Sequence, residues 1–323
     1  MNSLHEQSVM QRTLSQSISY VGIGLHTGKN VNMVIKPAKE NSGINFLRKD
    51  IKTADNLIPA LWYNVVDTTM STVLGNNDGI TIGTVEHLMA ALLGCGVDNA
   101  LVEIDGPEVP IMDGSAAPFV SVIEKIGTFS QSACRNAIWI HRPVEVRDGD
   151  KYSILMPSST PRITVEIDFK DSAIGSQTHS VTLINGEFRH DIARARTFGF
   201  ASDIKQLQHN GLAKGGSLKN AILVDGGKIV NEEGLRYDNE FVRHKILDAL
   251  GDLALVGVPI IGHIYARKPG HKLNNALIRQ LIDSPDAWSY NSINNFNSLT
   301  GADRHDNIDN VIANSARIHS ASY

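Results

Sequence analysis

Cysteine is nearly absent from this chain, which has only Cys95 and Cys134 among its 323 residues. Two thiols are too few for a disulfide framework or a cysteine-based zinc site, so we expect a reducing compartment. Long apolar runs are also missing: the longest, near residues 253–261, is far shorter than a membrane span. Residues 1–12 are polar and lack the apolar centre of a signal peptide. The sequence therefore predicts a cytoplasmic protein without a transmembrane segment.

An excess of basic charge is absent as well. The chain has 30 lysine and arginine residues against 34 aspartate and glutamate residues, a formal net charge of -4. Such a chain lacks the positive field on which binding to a phosphate backbone depends, so we expect no nucleic-acid partner. What the sequence does contain is apolar residues, at 42%, and a length with room for roughly two domains with real cores.

Both halves of the chain carry the period-two alternation of β-strands, around residues 31–35 in the first half and 163–169 in the second. The polar stretch from Gly127 to Cys134 separates these halves. The predicted divisions are an N-terminal α+β domain over residues 1–131, a C-terminal α+β domain over residues 132–285, and a loosely ordered polar tail over residues 286–323.

Helices are predicted between the strands. Thr84 is a good N-cap for a helix that Gly94 can end in the left-handed conformation. A second helix is predicted from Ser115, and two more at about residues 241–256 and 273–283.

Two short segments far apart in the chain together predict a metal site. His244 and Asp248 are four residues apart in a predicted helix, so at about 100° per residue both project from one face. A third donor such as His87 would complete the three protein ligands that a hydrolytic zinc site usually takes. Glu86, next in sequence, could then be the base, because a carboxylate beside a metal at a helix N-terminus stays ionised. An exposed ion pair between His244 and Asp248 would show the same spacing.

Other chemical motifs are weaker. The glycines of residues 22–28 do not have the spacing of a dinucleotide loop, and residues 214–217 lack the strand-to-helix setting of a phosphate loop. No G-x-S-x-G nucleophile elbow occurs, so serine hydrolysis is not predicted. The residues 268–270, Lys-Pro-Gly, predict a turn that would leave His271 exposed.

Six longer segments, in order along the chain, form a recognisable set. They are Gly24-Leu25-His26-Thr27-Gly28-Lys29, Thr84-Val85-Glu86-His87-Leu88, Ile111-Met112-Asp113-Gly114-Ser115-Ala116-Ala117-Pro118-Phe119, Arg194-Ala195-Arg196-Thr197-Phe198-Gly199-Phe200, Arg243-His244-Lys245-Ile246-Leu247-Asp248 and Gly270-His271-Lys272-Leu273-Asn274-Asn275. Together, over about residues 12–283, they closely resemble the UDP-3-O-acyl-N-acetylglucosamine deacetylase family. This family comprises the zinc amidohydrolases of the committed early step in lipid A biosynthesis.

The resemblance implies roles for the residues of the metal site. His87, His244 and Asp248 correspond to the three ligands of one catalytic Zn²⁺. Glu86 corresponds to the general base that activates the attacking water.

The resemblance also implies a general acid and a residue that orients it. His271 corresponds to the electrostatic partner and acid, and Asp252, two helical turns from His244, would raise the pKa of His271 and orient it. Thr197 corresponds to a hydroxyl donor that polarises the scissile carbonyl.

Contacts with the substrate are implied at further positions. Lys245 corresponds to a residue at the edge of the site. For the UDP end the similar positions are Lys151, Phe169 for stacking on uracil and Lys268 for phosphate. An insert at about residues 200–229 corresponds to a βαβ unit that forms an apolar passage for the acyl chain, and Lys214 is a charged departure within it. The remaining contact positions implied are Leu25, Phe198, Phe200 and Ile204.

The fold that the resemblance implies is α+β, with two similar two-layer α/β sandwich domains and helices packed between the sheets. The implied reaction is removal of acetate from acylated UDP-N-acetylglucosamine, with the acylated UDP-glucosamine substrate as the partner of a cytoplasmic monomer. Two alternatives stay open: a zinc amidohydrolase acting on a different amide, and a non-catalytic binding module with a structural metal. A structural zinc site would have four protein ligands, whereas three donors and an adjacent base are found here.

Overall fold

The computed structural model describes residues 9–53, 55–184 and 186–293, and within them the chain has the mixed α+β structure that was predicted. The strands of the first half are β1 (Met10–Leu14), β2 (Ile18–Ile23), β3 (Asn30–Pro37), β4 (Ile44–Arg48), β5 (Leu57–Pro59), β6 (Val65–Asp67), β7 (Val73–Gly75), β8 (Thr81–Ile82), β9 (Ala100–Ile104) and β10 (Thr128–Cys134). Those of the second half are β11 (Asn136–Ile140), β12 (Val144–Asp148), β13 (Lys151–Met156), β14 (Arg162–Asp168), β15 (Ser176–Thr182), β16 (Phe198–Phe200), β17 (Ile222–Asp225), β18 (Lys228–Ile229), β19 (Ile260–Ile261), β20 (His263–Arg267) and β21 (Trp288–Ser292). The α-helices are α1 (Glu86–Gly94), α2 (Ala117–Ile126), α3 (Ala201–His209), α4 (Glu240–Leu253) and α5 (His271–Ile282).

Each half contains a five-stranded sheet, and the two sheets have the same topology. Their strand orders are β2-β3-β9-β4-β5 and β12-β13-β20-β14-β15. In both sheets the third and fourth strands of this order are parallel, and the other neighbours are antiparallel. The chain therefore contains two α+β units of similar architecture. Hydrophobic periodicity did not reveal this repeat, because periodicity reports single strands and not their order.

The polar stretch between the halves is a strand and not a linker. Residues 128–134 form β10, which pairs antiparallel with β1 and places Leu14 opposite Thr128. The domain boundary at residues 131/132 stays a prediction.

The buried faces of both sheets join one continuous core. Val31, Met33 and Ile35 alternate along β3 and are fully buried, as the alternation predicted. The same cluster of buried side chains includes residues of β14 and of the helices α1, α2, α4 and α5. Helix α1 packs against α2 and α4, while α4 and α5 pack against strands of the second sheet. The helices thus connect the two units through their apolar faces.

Helix α1 begins and ends differently from the prediction. Thr84 is not its N-cap: the helix starts at Glu86 after Val85, and Thr84 itself has a φ of 56°. Gly94 is the last helical residue, and it is Gly96 that takes the left-handed φ of 67°. A Cβ on Gly94 would lie 2.1 Å from the ring of Phe188, so this glycine permits close packing and does not cap the helix.

The other predicted helices are confirmed to within a few residues. Helix α2 starts at Ala117, and its first amide donates to the hydroxyl of Ser115 at 3.2 Å. Helix α4 continues through a 3-10 turn at Ala254–Val256, so it covers the predicted span. The short helical turns Trp62–Asn64, Phe188–Ile192 and Pro285–Ala287 were not predicted.

The predicted βαβ insert is present in the second unit. Strand β16 leads into α3, and β17 returns parallel to β16, while β18 adds an antiparallel third strand. Ile204 and Leu207 are half-buried on the same face of α3, and their helical neighbours are exposed.

The start of the tail is ordered, contrary to the prediction for residues 286–323. Trp288 is buried, and β21 pairs antiparallel with β11. Trp288 also donates its indole N–H to the carbonyl oxygen of Leu281 at 2.8 Å. The rest of the predicted tail, residues 294–323, lies outside the described residues. Among the helices that are described, none combines the length and the hydropathy required to cross a membrane.

Candidate metal centre and active site

Three metal-binding side chains meet where α1 packs against α4. His87 is the second residue of α1, and His244 and Asp248 lie one turn apart on α4. Nε2 of His244 lies 3.2 Å, and Nε2 of His87 3.5 Å, from Oδ1 of Asp248. Ligands bound at 2.0–2.2 Å to a tetrahedral zinc ion are separated by about 3.3–3.6 Å, so the spacing fits such an ion. All three side chains are buried, and the exposed ion-pair interpretation is therefore wrong.

Hydrogen bonds and charges prepare this donor set for a cation. Nδ1 of His244 donates to the carbonyl oxygen of Ala195 at 3.0 Å, which leaves the lone pair of Nε2 on the side of Asp248. Burial lowers the pKa of His244, so the ring is neutral at neutral pH. Burial alone would raise the pKa of Asp248, but His244 and Lys245 hold it well below its ordinary value. Nδ1 of His87 is buried without a hydrogen-bond partner among the described residues. Imidazole and carboxylate donors of this kind suit Zn²⁺.

Glu86 occupies the first position of α1 and points into the same site. Its Oε2 accepts a hydrogen bond from the backbone N–H of Thr72 at 3.1 Å, and its Oε1 lies 3.7 Å from Nε2 of His271. Burial raises the pKa of Glu86 to about 7; the charge of His271 opposes this rise, and Asp252 reinforces it. The expectation that Glu86 is ionised supposed a metal ion beside it, and it stays a prediction. A carboxyl group that titrates near neutral pH is well suited to act as a general base.

His271 is the first residue of α5 and is not exposed on a turn, because its side chain is only 11% accessible. Nδ1 of His271 donates to Oδ2 of Asp252 at 2.8 Å. Burial alone would lower the pKa of His271, but Asp252 and then Glu86 outweigh it and raise the pKa to about 10. The structure therefore keeps an imidazolium beside the base, with Nε2 directed toward Glu86.

Two residues that hold Asp252 were not predicted from the sequence. Asn274 donates to Oδ2 of Asp252 at 2.8 Å, and the hydroxyl of Thr72 donates to Oδ1. Asn274 could have been found, because it follows His271 by three positions and so lies on the same face of α5. Thr72 is 180 positions from Asp252, and no local pattern connects the two.

Lys245 lies beside Asp248, one of the three possible metal donors. Its Nζ lies 2.7 Å from Oδ2 of Asp248 and 5.7 Å from the centroid of the Phe198 ring. Burial would lower the pKa of Lys245, but Asp248 raises it above its ordinary value, so the ammonium stays charged. Its contact with the substrate stays a prediction.

Thr197 lies in a segment that contacts both units. Its backbone N–H donates to the carbonyl oxygen of Gly114 in the first unit at 2.8 Å, and its own carbonyl oxygen accepts from Ile222 at 2.8 Å. Two positions earlier, Ala195 accepts the hydrogen bond from His244. Thr197 thus lies in the same segment as the carbonyl oxygen that accepts a hydrogen bond from His244.

A buried ion pair holds this segment in place. Nε and the backbone N–H of Arg196 both lie 2.9 Å from Oε1 of Glu240, and Arg196 also contacts Glu233 at 2.6 Å. The side chains of Arg196 and Glu240 are 2% and 0% exposed, respectively. The sequence motif contains Arg196, but only the structure shows what the arginine binds.

The three residues predicted for the UDP end come together at the ends of β13, β14 and β20. Nζ of Lys268 lies 2.7 Å from Oδ2 of Asp150 and 3.2 Å from Oδ2 of Asp168. Lys151 directly follows Asp150, and Phe169 directly follows Asp168. Their roles in binding UDP stay predictions.

The residues predicted for the acyl end lie on or beside the insert. The rings of Phe198 and Phe200 pack with their centroids 6.5 Å apart, and Phe169 packs against both. Ile204 lies on the partly covered face of α3. The carbonyl oxygen of Leu25 accepts a hydrogen bond from Gly215 at 3.0 Å, so a loop of the first unit meets the insert.

Lys214 does not interrupt the apolar side chains of the insert. It lies in the turn after α3, where its backbone N–H donates to the carbonyl oxygen of His26 at 3.2 Å. Its side chain is exposed. The charge that departs from the expected apolar pattern is thus accommodated on the surface.

The fold and the site together define the class of this protein. Three buried donors fit a metal ion, a carboxyl group whose pKa is about 7 stands beside them, and a histidine whose pKa is raised to about 10 lies 3.7 Å from that carboxyl group. A base, an acid and a Lewis-acid position around one space are the parts of a hydrolase.

Comparison with known proteins gives the family. A model of the UDP-3-O-acyl N-acetylglycosamine deacetylase family matches residues 11–283. A protein of Myxococcus xanthus named UDP-3-O-acyl-N-acetylglucosamine deacetylase is 49% identical over 285 residues, which cover 88% of this chain and 90% of the relative. Proteins of the same name from Shewanella pealeana and Phenylobacterium zucineum are 48% and 47% identical, over 87% of this chain and 92% and 96% of their own lengths. The chain belongs to this deacetylase family, and it is an enzyme that hydrolyses an amide.

Proposed function

We propose that the protein hydrolyses the N-acetyl amide of UDP-3-O-(3-hydroxyacyl)-N-acetylglucosamine with one catalytic Zn²⁺. The products are acetate and UDP-3-O-acyl-glucosamine, and the reaction is the committed step of lipid A biosynthesis in the cytoplasm. The name of the relatives supports the substrate. The observation that carries the chemistry is the placement of Glu86 and His271, 3.7 Å apart, beside the three-donor set.

His87, His244 and Asp248 would hold the metal ion, which when bound supplies Lewis-acid polarisation of the amide carbonyl. Glu86 takes a proton from the attacking water. Its Oε2 is held by the N–H of Thr72, so Oε1 is the oxygen that faces the reacting groups. Because the pKa of Glu86 is near 7, both the ionised and the protonated forms are accessible during turnover.

His271 supplies the proton that the leaving amine needs. Asp252 accepts the hydrogen bond from Nδ1 and stabilises the positive ring, so the proton on Nε2 is directed into the site. As the C–N bond breaks, Nε2 gives this proton to the leaving amine nitrogen. The hydroxyl of Thr197 donates to the oxygen that becomes negative in the transition state.

The two ends of the substrate are assigned to the second unit. Lys268, together with Lys151 and Phe169, which directly follow its ion-pair partners Asp150 and Asp168, offers two cations and an aromatic ring to the UDP group. The half-buried apolar face of α3, with Ile204, and the rings of Phe198 and Phe200 offer apolar surface to the acyl chain.

The proposal is tested by measuring acetate release from acylated UDP-N-acetylglucosamine, with the unacylated sugar nucleotide as control. We expect release from the acylated compound and much slower release from the control. Equal rates on both would favour an amidohydrolase for a different amide. No release from either compound by the zinc-loaded protein would favour a binding module. All groups of the site come from one chain, so we also propose that the monomer is active.

A further inference from the structure

Glu108 is a buried carboxylate that the reaction above does not use. Its side chain is 2% exposed, and it lies in the loop after β9. A buried carboxylate is retained at little cost only where donors satisfy it. The partners of Glu108 therefore show what it holds.

The carboxylate of Glu108 accepts four hydrogen bonds from two separate segments. Oε1 accepts from the backbone N–H of His26 at 2.8 Å and from the hydroxyl of Thr84 at 3.0 Å. Oε2 accepts from the backbone N–H of Thr27 at 2.9 Å and from its hydroxyl at 2.7 Å. A Cβ on Gly24 would lie 2.3 Å from Oε2, so the turn at residues 24–28 is shaped around this carboxylate.

Thr84 is the strained member of this group. It is buried and has a φ of 56°, a conformation that is unfavourable for a β-branched residue and persists only where neighbours enforce it. The adjacent Gly83 is bound by backbone hydrogen bonds to Pro107 and Val109, on either side of Glu108. The side chain of Glu108 thus holds Thr84, while the backbone of its two neighbours, Pro107 and Val109, holds Gly83.

The conformation of Thr84 determines where α1 begins. The helix starts two residues later at Glu86, and no side chain caps its N-terminus. Glu86 and His87 are therefore directed into the site by the turn at Thr84. On its other side, the turn held by Glu108 binds the turn of the acyl insert, through the carbonyl oxygens of Leu25 and His26.

We propose that Glu108 is a positioning residue for the deacetylation: by binding Thr84 and the turn at residues 24–28, it sets the direction of Glu86 and His87. The activity measurements rest on the proposed function, whereas zinc affinity is measured without any substrate and so tests the positioning of His87 independently of the reaction. Glu108→Gln tests it, because either orientation of the amide turns an NH₂ group toward donors. Thr84→Val replaces the hydroxyl with a methyl group, so it removes the hydrogen bond to Glu108 and keeps the shape of the side chain.

Glu103→Gln is the matched control. Glu103 is also a buried glutamate of the first unit, 9% exposed, but it binds Lys36 at 2.6 Å and Lys49 at 3.1 Å. Each variant is assayed for kcat, for KM, for zinc affinity by competition with a chromogenic chelator, and for thermal stability.

We expect Glu108→Gln to lower kcat and zinc affinity about 10- to 100-fold, the usual effect of losing a residue that orients a metal ligand. Thr84→Val should show a smaller loss of the same kind and add little to Glu108→Gln in the double variant, because the two share one hydrogen bond. Glu103→Gln should leave kcat and zinc affinity unchanged.

The proposal is overturned if Glu108→Gln loses stability while kcat and zinc affinity equal those of the wild type, or if the effects of Glu108→Gln and Thr84→Val simply add. If Glu108→Gln does not fold, the proposal is judged on Thr84→Val alone: wild-type kcat and zinc affinity in that variant would overturn it. Should the wild type release no acetate, the zinc affinities still test the positioning of His87, so the failure of one proposal is distinguished from that of the other.

Discussion

Gly251 of α4 packs directly onto the carbonyl oxygen of Glu86 at the start of α1. A Cβ built on Gly251 would lie 1.9 Å from this oxygen, a distance that no side chain can occupy. The contact brings the base and His87 from one unit within reach of His244 and Asp248 from the other. The active site thus depends on a residue that performs no chemistry.

We predict that Gly251→Ala loses both stability and activity. The added methyl group must push α1 and α4 apart, and overpacking of this kind typically costs about 1–3 kcal/mol. Urea denaturation measures the stability, and metal content measures the separation of the ligands. Gly199→Ala is the control, since its Cβ would meet no atom within 4 Å. An unchanged metal content in Gly251→Ala would show that the helices tolerate the methyl group.

The metal itself gives a second prediction. We expect one tightly bound Zn²⁺ per chain, and loss of activity on chelation that is restored by added zinc. His244→Ala should lower the zinc content, because it removes one of three buried donors. Elemental analysis measures the zinc content. A metal-free protein with full activity would contradict the prediction.

The separation of base from ligand gives a third prediction. Glu86→Gln should keep its zinc, because Glu86 is not among the three donors. Its turnover should fall by about 10² to 10⁴, the usual contribution of a general acid or base. Zinc stoichiometry and kcat are measured on the same preparation. A variant that loses its zinc would show that Glu86 is a ligand.

The pH dependence gives a fourth prediction. Activity requires ionised Glu86, whose pKa is about 7, and protonated His271, whose pKa is about 10, so activity should rise through the first value and fall through the second. Asp252→Asn removes the charge that most favours the imidazolium, and the pKa of His271 must then fall. The basic limb of kcat/KM against pH should move to lower pH in this variant, while zinc content stays near normal.

Two results would contradict this assignment. If Asp252→Asn strips the metal, Asp252 is itself a ligand. If the basic limb stays in place in both Asp252→Asn and His271→Ala, with turnover intact, another residue is the acid.

The buried pair of Arg196 and Glu240 gives a prediction about stability. Glu240→Gln leaves the buried guanidinium of Arg196 with only the largely exposed Glu233 as a counter-charge, so the loss should approach the value of about 3–5 kcal/mol for a broken buried pair. Asp286→Asn is the matched control, because it breaks an ion pair with Arg142 in which the two side chains are 66% and 67% exposed, and such pairs contribute about 0–1 kcal/mol. Chemical denaturation of both variants gives the comparison. Equal losses of stability in the two variants would show that burial does not increase the contribution of the ion pair.

Much of the fold was predictable because its signals are local. The alternation at Val31, Met33 and Ile35 places three side chains on one face of a strand whatever the rest of the chain does. Likewise, the spacing of His244 and Asp248 puts both on one face of α4. The caps of α1 were not predictable, since Thr84 and Gly94 have partners, Glu108 and Phe188, that lie elsewhere in the chain.

By itself, the sequence determined the main helices and several strands of both halves, the spacing of His244 and Asp248 on one helix and, through its six motifs, the family. All of these depend on residues close together in the chain. Only the tertiary structure decided that Glu86 would be buried, that His271 would lie against Asp252, and that Thr72 would bind both Glu86 and Asp252. Burial raises the pKa of Glu86, and Asp252 raises that of His271. These relationships arise from the packing of α1 and α5 against α4 and from the long-range contact of Thr72, which join segments of the chain that no periodicity connects.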